Sequence, residues 1–335
     1  MSDATPTRLG QSNNSSADVS TLFLEKFSGR VNLNFARNTP VRDSSTVITT
    51  EWGKSVNVSE IGDAFSASHT PGNYLNGLNI PQGERVVTPD DMIVSHAFIA
   101  EWDRFQNHFE VQDRFAQKMG EALANRYERD ILRVAIKGAT EATPTDALTK
   151  AGNVETSVDG ATDLTPKTNA AHLITVGMRA AQALDERDVP DNDDRIIVVA
   201  PEQYYLLVAA GNDLISRDYN GPDNGSIARG MVARLGNLKV VKSNNLAAIL
   251  NTASQVENTA AATTEASAYA INTVTTDTIA VVMTPESVLN AEWLGIQSDA
   301  KWQLERLGHL ILSRMMVGHG VGRPETIVNI EGYSH

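Results

Sequence analysis

The sequence predicts an α+β protein, and three observations support that fold class. Apolar residues recur at i+4 from Phe115 to Ile131 in a segment without proline, which predicts one long helix over about 107–137. Short apolar runs typical of buried strands occur at 196–200, 237–243 and 277–284. The last segment, 290–330, is apolar with strand-like pieces, and the chain contains no internal repeat.

Charged side chains are expected to cover the solvent face of the long helix. They are Asp113, Arg114, Lys118, Glu121, Arg126, Arg129, Asp130 and Arg133. Gly138 follows as the expected C-terminal stop, because glycine readily adopts the left-handed conformation that ends helices. The apolar stripe of this helix is interpreted as core rather than as a cofactor site.

Two further helices are expected in the second half of the chain. The first begins near Thr168, and its apolar positions are Leu173, Val176, Met178, Ala180 and Leu184. The second begins at Pro201, where proline is tolerated, and ends at Gly211. Segments 139–168 and 250–273 are rich in small and polar residues and are expected to be connectors or surface loops.

The composition is that of an ordinary globular protein with a large core. Of its 335 residues, 41% are hydrophobic and 21% are charged, which suits one large domain or two modest ones. No apolar stretch is long enough to cross a bilayer and the N-terminus has no signal-peptide core, so no membrane partner is expected. The absence of cysteine excludes disulfides, thiolate nucleophiles and cysteine-based zinc sites.

Acidic side chains are concentrated in the middle of the chain. The net charge is −13, while both ends are close to neutral. Such a field repels nucleic-acid phosphates at long range, so sequence-specific binding of DNA is not expected. Solubility is the simplest interpretation of the acidity.

The first ninety residues are poor in core-forming pattern. Residues 1–20 are polar, and 21–37 then bring several phenylalanines in mixed helical and alternating spacing, so this stretch is either an anchored arm or a first core helix and strand. Residues 50–90 are punctuated by glycine and proline. They predict a long two-stranded extension with 84–88 as its returning strand, and loops of this length are often used in partner contacts.

The loop 318–325, GHGVGRPE, has a composition that suggests a phosphate cradle, but its spacing does not fit one. It lacks the Lys-Ser/Thr pair of a nucleoside-triphosphate loop, and too few residues follow it for the βαβ unit of a dinucleotide site. The structural interpretation is a turn between strands Leu310–Val317 and Thr326–Ile330, in which glycines let backbones approach closely and Arg323 holds a carboxylate in a bidentate contact. The residues assigned to this structural turn are Gly318, Gly320, Gly322, Arg323 and Pro324.

Other catalytic and metal-binding patterns are missing as well. The seven histidines show no metal-ligand spacing, no nucleophile elbow is present, and VPDNDDR at 189–195 lacks the glycine and the glutamate of a calcium loop. The sequence therefore predicts no catalytic residue, no metal site and no cofactor, and the protein is not expected to be an enzyme.

Several blocks in order resemble the major capsid proteins of short-tailed double-stranded-DNA bacteriophages. They are LFLEKFSGRVNLNFAR, TPGNYLNG, ERVVTPDDMIV, the long helix, RAAQALDERDVPDNDDRIIVVAPEQYYLLVAA, GSIARGM, LER and MMVGHGVGRPE. The resemblance covers most of the chain and is weakest at 139–168 and 244–277. It implies the Hong Kong 97 phage-type capsid fold.

The resemblance also implies a division of the chain. Its parts are an N-terminal arm (1–48), an extended loop (49–90), a peripheral domain (91–167 and 296–335) with a spine helix, and an axial domain (168–295). In this family pattern 318–325 is similar to a return turn in the peripheral-domain sheet. The subunit-contact candidates are Phe23, Phe27, Phe35, Arg37, Pro71 and Gly72.

The function implied by the resemblance is a structural one. The chain would assemble with copies of itself into hexamers and pentamers of an icosahedral shell, with a scaffolding protein and a portal as assembly partners. The shell would enclose double-stranded DNA without sequence-specific binding, and the protein would be part of the virion capsid. Two alternatives remain at this point: an encapsulin-like shell around a cargo enzyme, and an α+β enzyme that binds a phosphorylated ligand near 318–325.

Overall fold

The computed structural model describes most of the chain outside its N-terminal forty residues. The described ranges are 41–102, 112–140, 151–156, 169–210, 225–226, 231–250 and 278–332, without 63, 65, 67, 75–76, 78–79, 90–91, 192–193 and 233. The contacts divide the chain into two compact units. Unit 1 draws on 90–127 and 292–317, and unit 2 draws on 40–89, 128–291 and 318–335.

The described chain contains both helices and strands, and the predicted α+β class is confirmed. The helices are α1 (Gln112–Ala139), α2 (Ala170–Asp185), α3 (Pro201–Ala210) and α4 (Asn244–Leu250). The first seven strands are β1 (Thr46–Thr49), β2 (Val56–Ile61), β3 (Gln82–Val87), β4 (Ile93–Ala100), β5 (Asn153–Thr156), β6 (Ile196–Val199) and β7 (Gly225–Ser226). The remaining strands are β8 (Met231–Val232), β9 (Arg234–Leu235), β10 (Leu238–Lys242), β11 (Thr278–Met283), β12 (Val288–Gln303), β13 (Gly308–Val321) and β14 (Val328–Glu331).

A four-stranded sheet contains the two longest strands of the described chain. Its order is β1-β12-β13-β4. Within unit 1, β13 pairs with β4 in antiparallel register from Met315 opposite Ile93 to Gly308 opposite Ala100. A short 3₁₀ turn at Leu304–Arg306 joins β12 to β13. Segment 290–330 therefore does contain long strands, as its apolar pattern predicts.

A six-stranded mixed sheet forms the centre of unit 2. Its order is β5-β14-β11-β6-β10-β9, with β6 parallel to β10 and β11 antiparallel to both β6 and β14. Every residue of β6 and β11 is buried, which explains why their sequences are continuous apolar runs. Leu173, Leu184 and Leu207 of α2 and α3 are fully buried in the same core cluster as these strands.

The predicted long helix is present, with two corrections to its details. Met119, Leu123 and Ile131 are buried, as the i+4 stripe predicts. Asp130 and Arg133, expected at the solvent face, are also buried, and they form an ion pair at 2.8 Å between Nη1 and Oδ1. Gly138 does not end the helix: it lies in the last turn of α1, where an added Cβ would come within 2.8 Å of Ile327 and 2.9 Å of Val321. The predicted residues 107–111 lie outside the described part.

Other predicted elements agree closely with the structure. Asn169 caps α2 by accepting a hydrogen bond from the backbone N of Ala171 at 2.9 Å, and Pro201 is the first residue of α3. Met178 is a correction, because its side chain is exposed rather than part of the core. Gly211 and residues 251–273 of the predicted surface loop lie outside the described residues, and no described helix is long and apolar enough to span a membrane.

The predicted two-stranded extension is confirmed. Strands β2 and β3 form a separate antiparallel sheet, in register from Val56 opposite Val87 to Ile61 opposite Gln82. The returning strand begins at Gln82, two residues earlier than expected. These two strands together are called the ribbon below.

Candidate functional surfaces

The glycines of the 318–325 loop lie where other backbone or side chains leave no room for a Cβ atom. A Cβ added to Gly318 would lie 2.3 Å from the carbonyl oxygen of Thr88, and one added to Gly322 would lie 2.3 Å from that of Glu286. At Gly320 it would meet the Val87 side chain at 2.8 Å. Gly318 and Gly320 belong to β13, so they serve close packing and not the turn itself.

Arg323 is the only lysine or arginine of the 318–325 loop. Its Nη1 donates to Oε2 of Glu286 at 2.9 Å, and its Nη2 pairs with Oε1 of Glu325. The guanidinium thus contacts two different carboxylates, whereas the sequence prediction was a bidentate contact with one. Burial opposes the charged form, but Glu325 and Glu286 outweigh this effect and raise the pKa of Arg323 above its ordinary value.

Hydrogen bonds attach the turn to the β11–β12 connection. The backbone N of Gly322 donates to the carbonyl oxygen of Ser287 at 2.9 Å, and that of Arg323 donates to the carbonyl of Glu286 at 3.1 Å. The buried Ser287 hydroxyl lies 2.9 Å from the hydroxyl of Thr326, which donates in turn to the carbonyl of Arg323 at 2.7 Å. With its arginine paired to two carboxylates and the backbone N–H groups of Gly322 and Arg323 already bonded, this loop has the contacts of a structural joint and not of a phosphate cradle.

The position of this joint corrects the sequence interpretation of a return turn within one sheet. Strand β13 belongs to the four-stranded sheet, but β14 belongs to the six-stranded sheet, where it pairs with β11 and β5. The loop therefore carries the chain from one sheet to another. Pro324 begins the buried 3₁₀ turn Pro324–Thr326 that separates the two strands.

Most described residues of the ribbon and of the segment that connects its strands are exposed or half-buried. Side chains of β2 alternate between half-buried and exposed, and Arg85 pairs with Glu60 across the strands at 3.3 Å. Tyr74 between the strands is 96% exposed. The predicted contact residues Pro71 and Gly72 are also exposed, in a turn where Gly72 has φ +98°.

The chain is anchored firmly from residue 41 onward. Val41 is fully buried, the hydroxyl of Ser45 accepts a hydrogen bond from Nδ2 of Asn290 at 2.6 Å, and the backbone N of Thr46 donates to the carbonyl of Pro285 at 3.0 Å. The predicted contact residues of the arm lie outside the described residues: Phe23, Phe27, Phe35 and Arg37.

The described residues contain no group of three His, Asp or Glu side chains placed to hold a metal ion. In the acidic segment that ends at Arg195, this buried arginine is itself the cation. Its Nη1 donates to Oδ1 of Asp185 at 2.7 Å and its Nη2 donates to the carbonyl of Val189 at 2.6 Å. The segment is thus held by a protein side chain, as expected of a polar turn before a strand.

A buried polar cluster was not predicted from the sequence. The carboxylate of Glu128 in α1 accepts hydrogen bonds from the hydroxyl of Ser243 at 2.9 Å and from Nδ2 of Asn245 at 2.6 Å. These contacts hold α1 to the start of α4 in unit 2. The partners are more than a hundred residues apart, so no local spacing signals the cluster.

Comparison with known proteins gives consistent results. A family model described as "Gp10A-like: Major capsid protein" matches residues 59–331. The major capsid protein of Escherichia phage T7 is 26% identical over 200 residues, which are 58% of this chain and 57% of that protein. The major capsid protein of Enterobacteria phage T3 is 30% identical over 112 residues, 33% of this chain and 32% of that protein. This chain thus spans little more than half the length of the T7 protein.

Two solved phage capsid structures match nearly the whole chain. A chain in the capsid structure of the cyanophage P-SCSP1u has 29% identity and a TM-score of 0.76, with 98% of this chain and 99% of that chain covered. A chain of the mature capsid of bacteriophage PhiM1 has 19% identity and a TM-score of 0.72, with 92% and 91% covered. The tailed-phage capsid fold expected from the sequence is confirmed.

Proposed function

Because this chain belongs to the Gp10A-like major capsid protein family, we propose that it builds the shell of a bacteriophage virion by assembling with copies of itself. The subunits form the hexamers and pentamers of an icosahedral shell that encloses the double-stranded DNA genome. The observation that carries this proposal is the likeness over 98% of the chain to the cyanophage capsid chain. The protein acts as a structural component of the virion capsid and has no catalytic role.

The open surface of the ribbon supports assembly on physical grounds. A two-stranded sheet by itself is marginally stable in water, and both ribbon strands keep an edge without a partner strand in the described chain. An exposed tyrosine at its loop adds apolar area that the subunit itself does not bury. The ribbon therefore gains stability by lying over a neighbouring subunit, with Pro71 and Gly72 at the contact.

The arm contributes to the same assembly. Its phenylalanines are Phe23, Phe27 and Phe35, and Arg37 precedes the anchored start of the described chain. The arm residues 1–48 and the ribbon segment 49–90 act as assembly elements, while 91–167 with 296–335 and 168–295 serve as peripheral and axial domains. Scaffolding protein and portal are the assembly partners in this scheme.

The acidic charge suits a container for DNA. A net charge of −13 opposes attachment of the genome to the wall, so DNA is enclosed without sequence-specific contacts. The alternative of a phosphorylated ligand near 318–325 has little support, since Glu286 and Glu325 already neutralise Arg323.

Negative-stain electron microscopy of the expressed protein, alone and with its scaffolding protein, tests the proposal. We expect closed polyhedral particles of uniform size that dissociate into identical oligomers. A protein that stays monomeric in both preparations over a wide concentration range would contradict the proposed function.

A further inference from the structure

The histidine of the 318–325 loop is a buried polar residue. His319 is 8% exposed and lies in β13 between Gly318 and Gly320, the two glycines that serve close packing. Burial of an imidazole ring costs free energy unless its nitrogens find hydrogen-bond partners. The partner of its Nδ1 atom links this ring to a distant part of the chain.

A chain of hydrogen bonds runs from His319 to the beginning of β1. Nδ1 of His319 lies 2.7 Å from Oδ1 of Asn290, a fully buried residue of β12. The amide nitrogen Nδ2 of Asn290 donates to the hydroxyl oxygen of Ser45 at 2.6 Å. Ser45 directly precedes β1, so the bonds cross the three neighbouring strands β13, β12 and β1. His319, Asn290 and Ser45, which all belong to unit 2, are called the relay.

The single proton of the Ser45 hydroxyl decides the direction of every bond in the relay. That hydroxyl donates to the carbonyl oxygen of Arg42 at 2.8 Å, so toward Asn290 it can only accept. Asn290 therefore turns its NH₂ group to Ser45 and its oxygen to His319, and Nδ1 of His319 must carry a proton. Hydrogen bonds that run in one direction polarise one another, so the relay is stronger as a unit than its separate bonds.

The relay ends at the turn where the described chain begins. Arg42–Ser44 form a single 3₁₀ turn whose N-cap is Val41, a residue with no side-chain group that could cap it. Such a short turn is weak by itself. Ser45 supplies two of the bonds that close it, because its hydroxyl and its backbone N both donate to the carbonyl of Arg42. The position of residues 42–45 thus depends on side chains of β12 and β13.

Apolar side chains would hold these strands together at lower cost. Burial removes the amide of Asn290 and the ring of His319 from water, and this loss must be offset by their hydrogen bonds. A directed chain of such bonds fixes distances and angles that apolar packing leaves free. The relay is therefore suited to hold one segment of the chain in one defined place.

We propose that the relay positions the arm, because it fixes the place on the folded body from which residues 1–39 start. This inference rests on the proposed function, in which the arm is an assembly element, and it identifies residues of the folded body that act through the arm. His319 is a positioning residue in this scheme and takes part in no reaction.

The proton on Nδ1 is open to direct observation. In the dissociated wild-type subunit labelled with ¹⁵N, the ring nitrogens of His319 are identified by nuclear magnetic resonance through comparison with His319→Asn. We expect a protonated Nδ1. A ring without a proton on Nδ1 would reverse the direction of the bonds and overturn the relay. This measurement requires neither particles nor a change in the relay of the protein observed.

A fluorescent label at the end of the arm tests the positioning. The chain has no cysteine, so Asn38→Cys carries the label alone. The additional change Ser45→Ala removes the end of the relay at a half-buried position and should clearly lower the anisotropy of the label. Ser45→Thr keeps the hydroxyl on an extended backbone, φ −128°, that threonine readily adopts, and should restore the anisotropy.

The control places the label on the ribbon instead, at Ser59→Cys, where Ser45→Ala should not change the anisotropy. An unchanged anisotropy at residue 38 in Ser45→Ala would overturn the positioning role. An equal decrease at residues 38 and 59 would also overturn it, because the substitution would then loosen the whole subunit.

Particle formation tests the consequence for the shell. In Ser45→Ala the yield of regular particles should fall about fivefold or more, because each arm starts from a less defined place. The thermal unfolding midpoint of the dissociated subunit should fall by about 3 °C or less. Ser45→Thr should regain the wild-type yield. A wild-type yield from Ser45→Ala, or an equal loss in both variants, would show that the hydroxyl does not position the arm.

Failure of this inference is distinguishable from failure of the proposed function. If the wild-type chain forms no particles with or without its scaffolding protein, the shell function fails. The proton on Nδ1 and the anisotropy at residue 38 then still decide whether the relay holds the arm. If wild-type particles form and Ser45→Ala behaves as the wild type does, the relay has no such role and the shell function stands.

Discussion

Several residues of this protein stabilise the fold through contacts with residues far away in the sequence. Gly318 and Gly322 lie against the carbonyls of Thr88 and Glu286, and Arg323 joins the carboxylates of Glu286 and Glu325. Since these carboxylates raise the pKa of Arg323, the stabilising contribution of its charge is present at neutral pH and is lost as the pH rises through the raised pKa. Within the ordinary pH range this arginine remains charged and paired.

Gly318→Ala tests the close approach at the end of β13. The new methyl group would meet the backbone oxygen of Thr88, so the free energy of unfolding of the dissociated subunit should fall by about 1–3 kcal/mol. Gly295→Ala is the matched control, since nothing lies within 4 Å of its added Cβ in β12. Chemical denaturation measures the free energy of unfolding of both variants. An equal decrease in the two variants would contradict the packing argument.

Glu128→Gln tests the buried polar cluster. The substitution places an NH₂ group among Ser243 and Asn245, which now donate to the carboxylate, so unfolding should become easier by about 1–3 kcal/mol. Glu121→Gln on the same helix changes only a partly exposed ion pair with Lys118, and an effect of about 0.5 kcal/mol or less is expected. Chemical denaturation measures both variants. Similar decreases in their free energy of unfolding would indicate that the buried cluster contributes no more to stability than a surface ion pair.

At the level of elements, the sequence pattern agrees with the structure where a simple apolar periodicity or a turn residue marks the element. The i+4 stripe of α1, the apolar runs of β6 and β11 and the proline at the start of α3 all correspond to described elements. The pattern is less informative where an element packs on several sides. The second half of α1 is an example, because Asp130 and Arg133 form a buried ion pair where a surface helix would have solvent-facing charges.

A deletion separates the arm from the folded body. The arm predicted from the sequence ends at residue 48, but Val41, Ser45 and Thr46 are packed or hydrogen-bonded in unit 2, so the deletion should end at residue 39. We expect the subunit without residues 1–39 to keep its circular dichroism spectrum and unfolding midpoint but to form no regular particles in electron microscopy. Removing residues 1–48 should also lower the midpoint, and normal particles from the shorter deletion would exclude the arm from assembly.

On the scale of the whole molecule, charge and exposed surface point to the same use of the protein. The subunit is strongly acidic, and within the described residues both strands of its ribbon have an edge without a partner strand. A surface of this kind favours a few specific contacts between copies over general adhesion. In the proposed shell, this acidity would disfavour tight binding of the enclosed DNA.

Fluorescence anisotropy with duplex DNA checks this property of the whole molecule. At about 0.15 M salt we expect no binding of the dissociated subunit at micromolar concentration, because a net charge of −13 disfavours phosphate contacts. A basic DNA-binding domain of similar size serves as the positive control. Tight binding of DNA with weak dependence on salt concentration would contradict the proposal that the subunit encloses DNA without binding it.

The sequence by itself determined the α+β class, the long helix, the ribbon, the buried strands and the family resemblance. It did so because periodicity and turn residues act over short distances along the chain. Only the tertiary structure decided that 318–325 joins two different sheets and that Glu128 meets Ser243 and Asn245. It also decided that Asn290 lies between His319 and Ser45. These features depend on strand pairing and side-chain contacts between segments far apart in the chain. The spacing of residues within one segment does not predict such contacts.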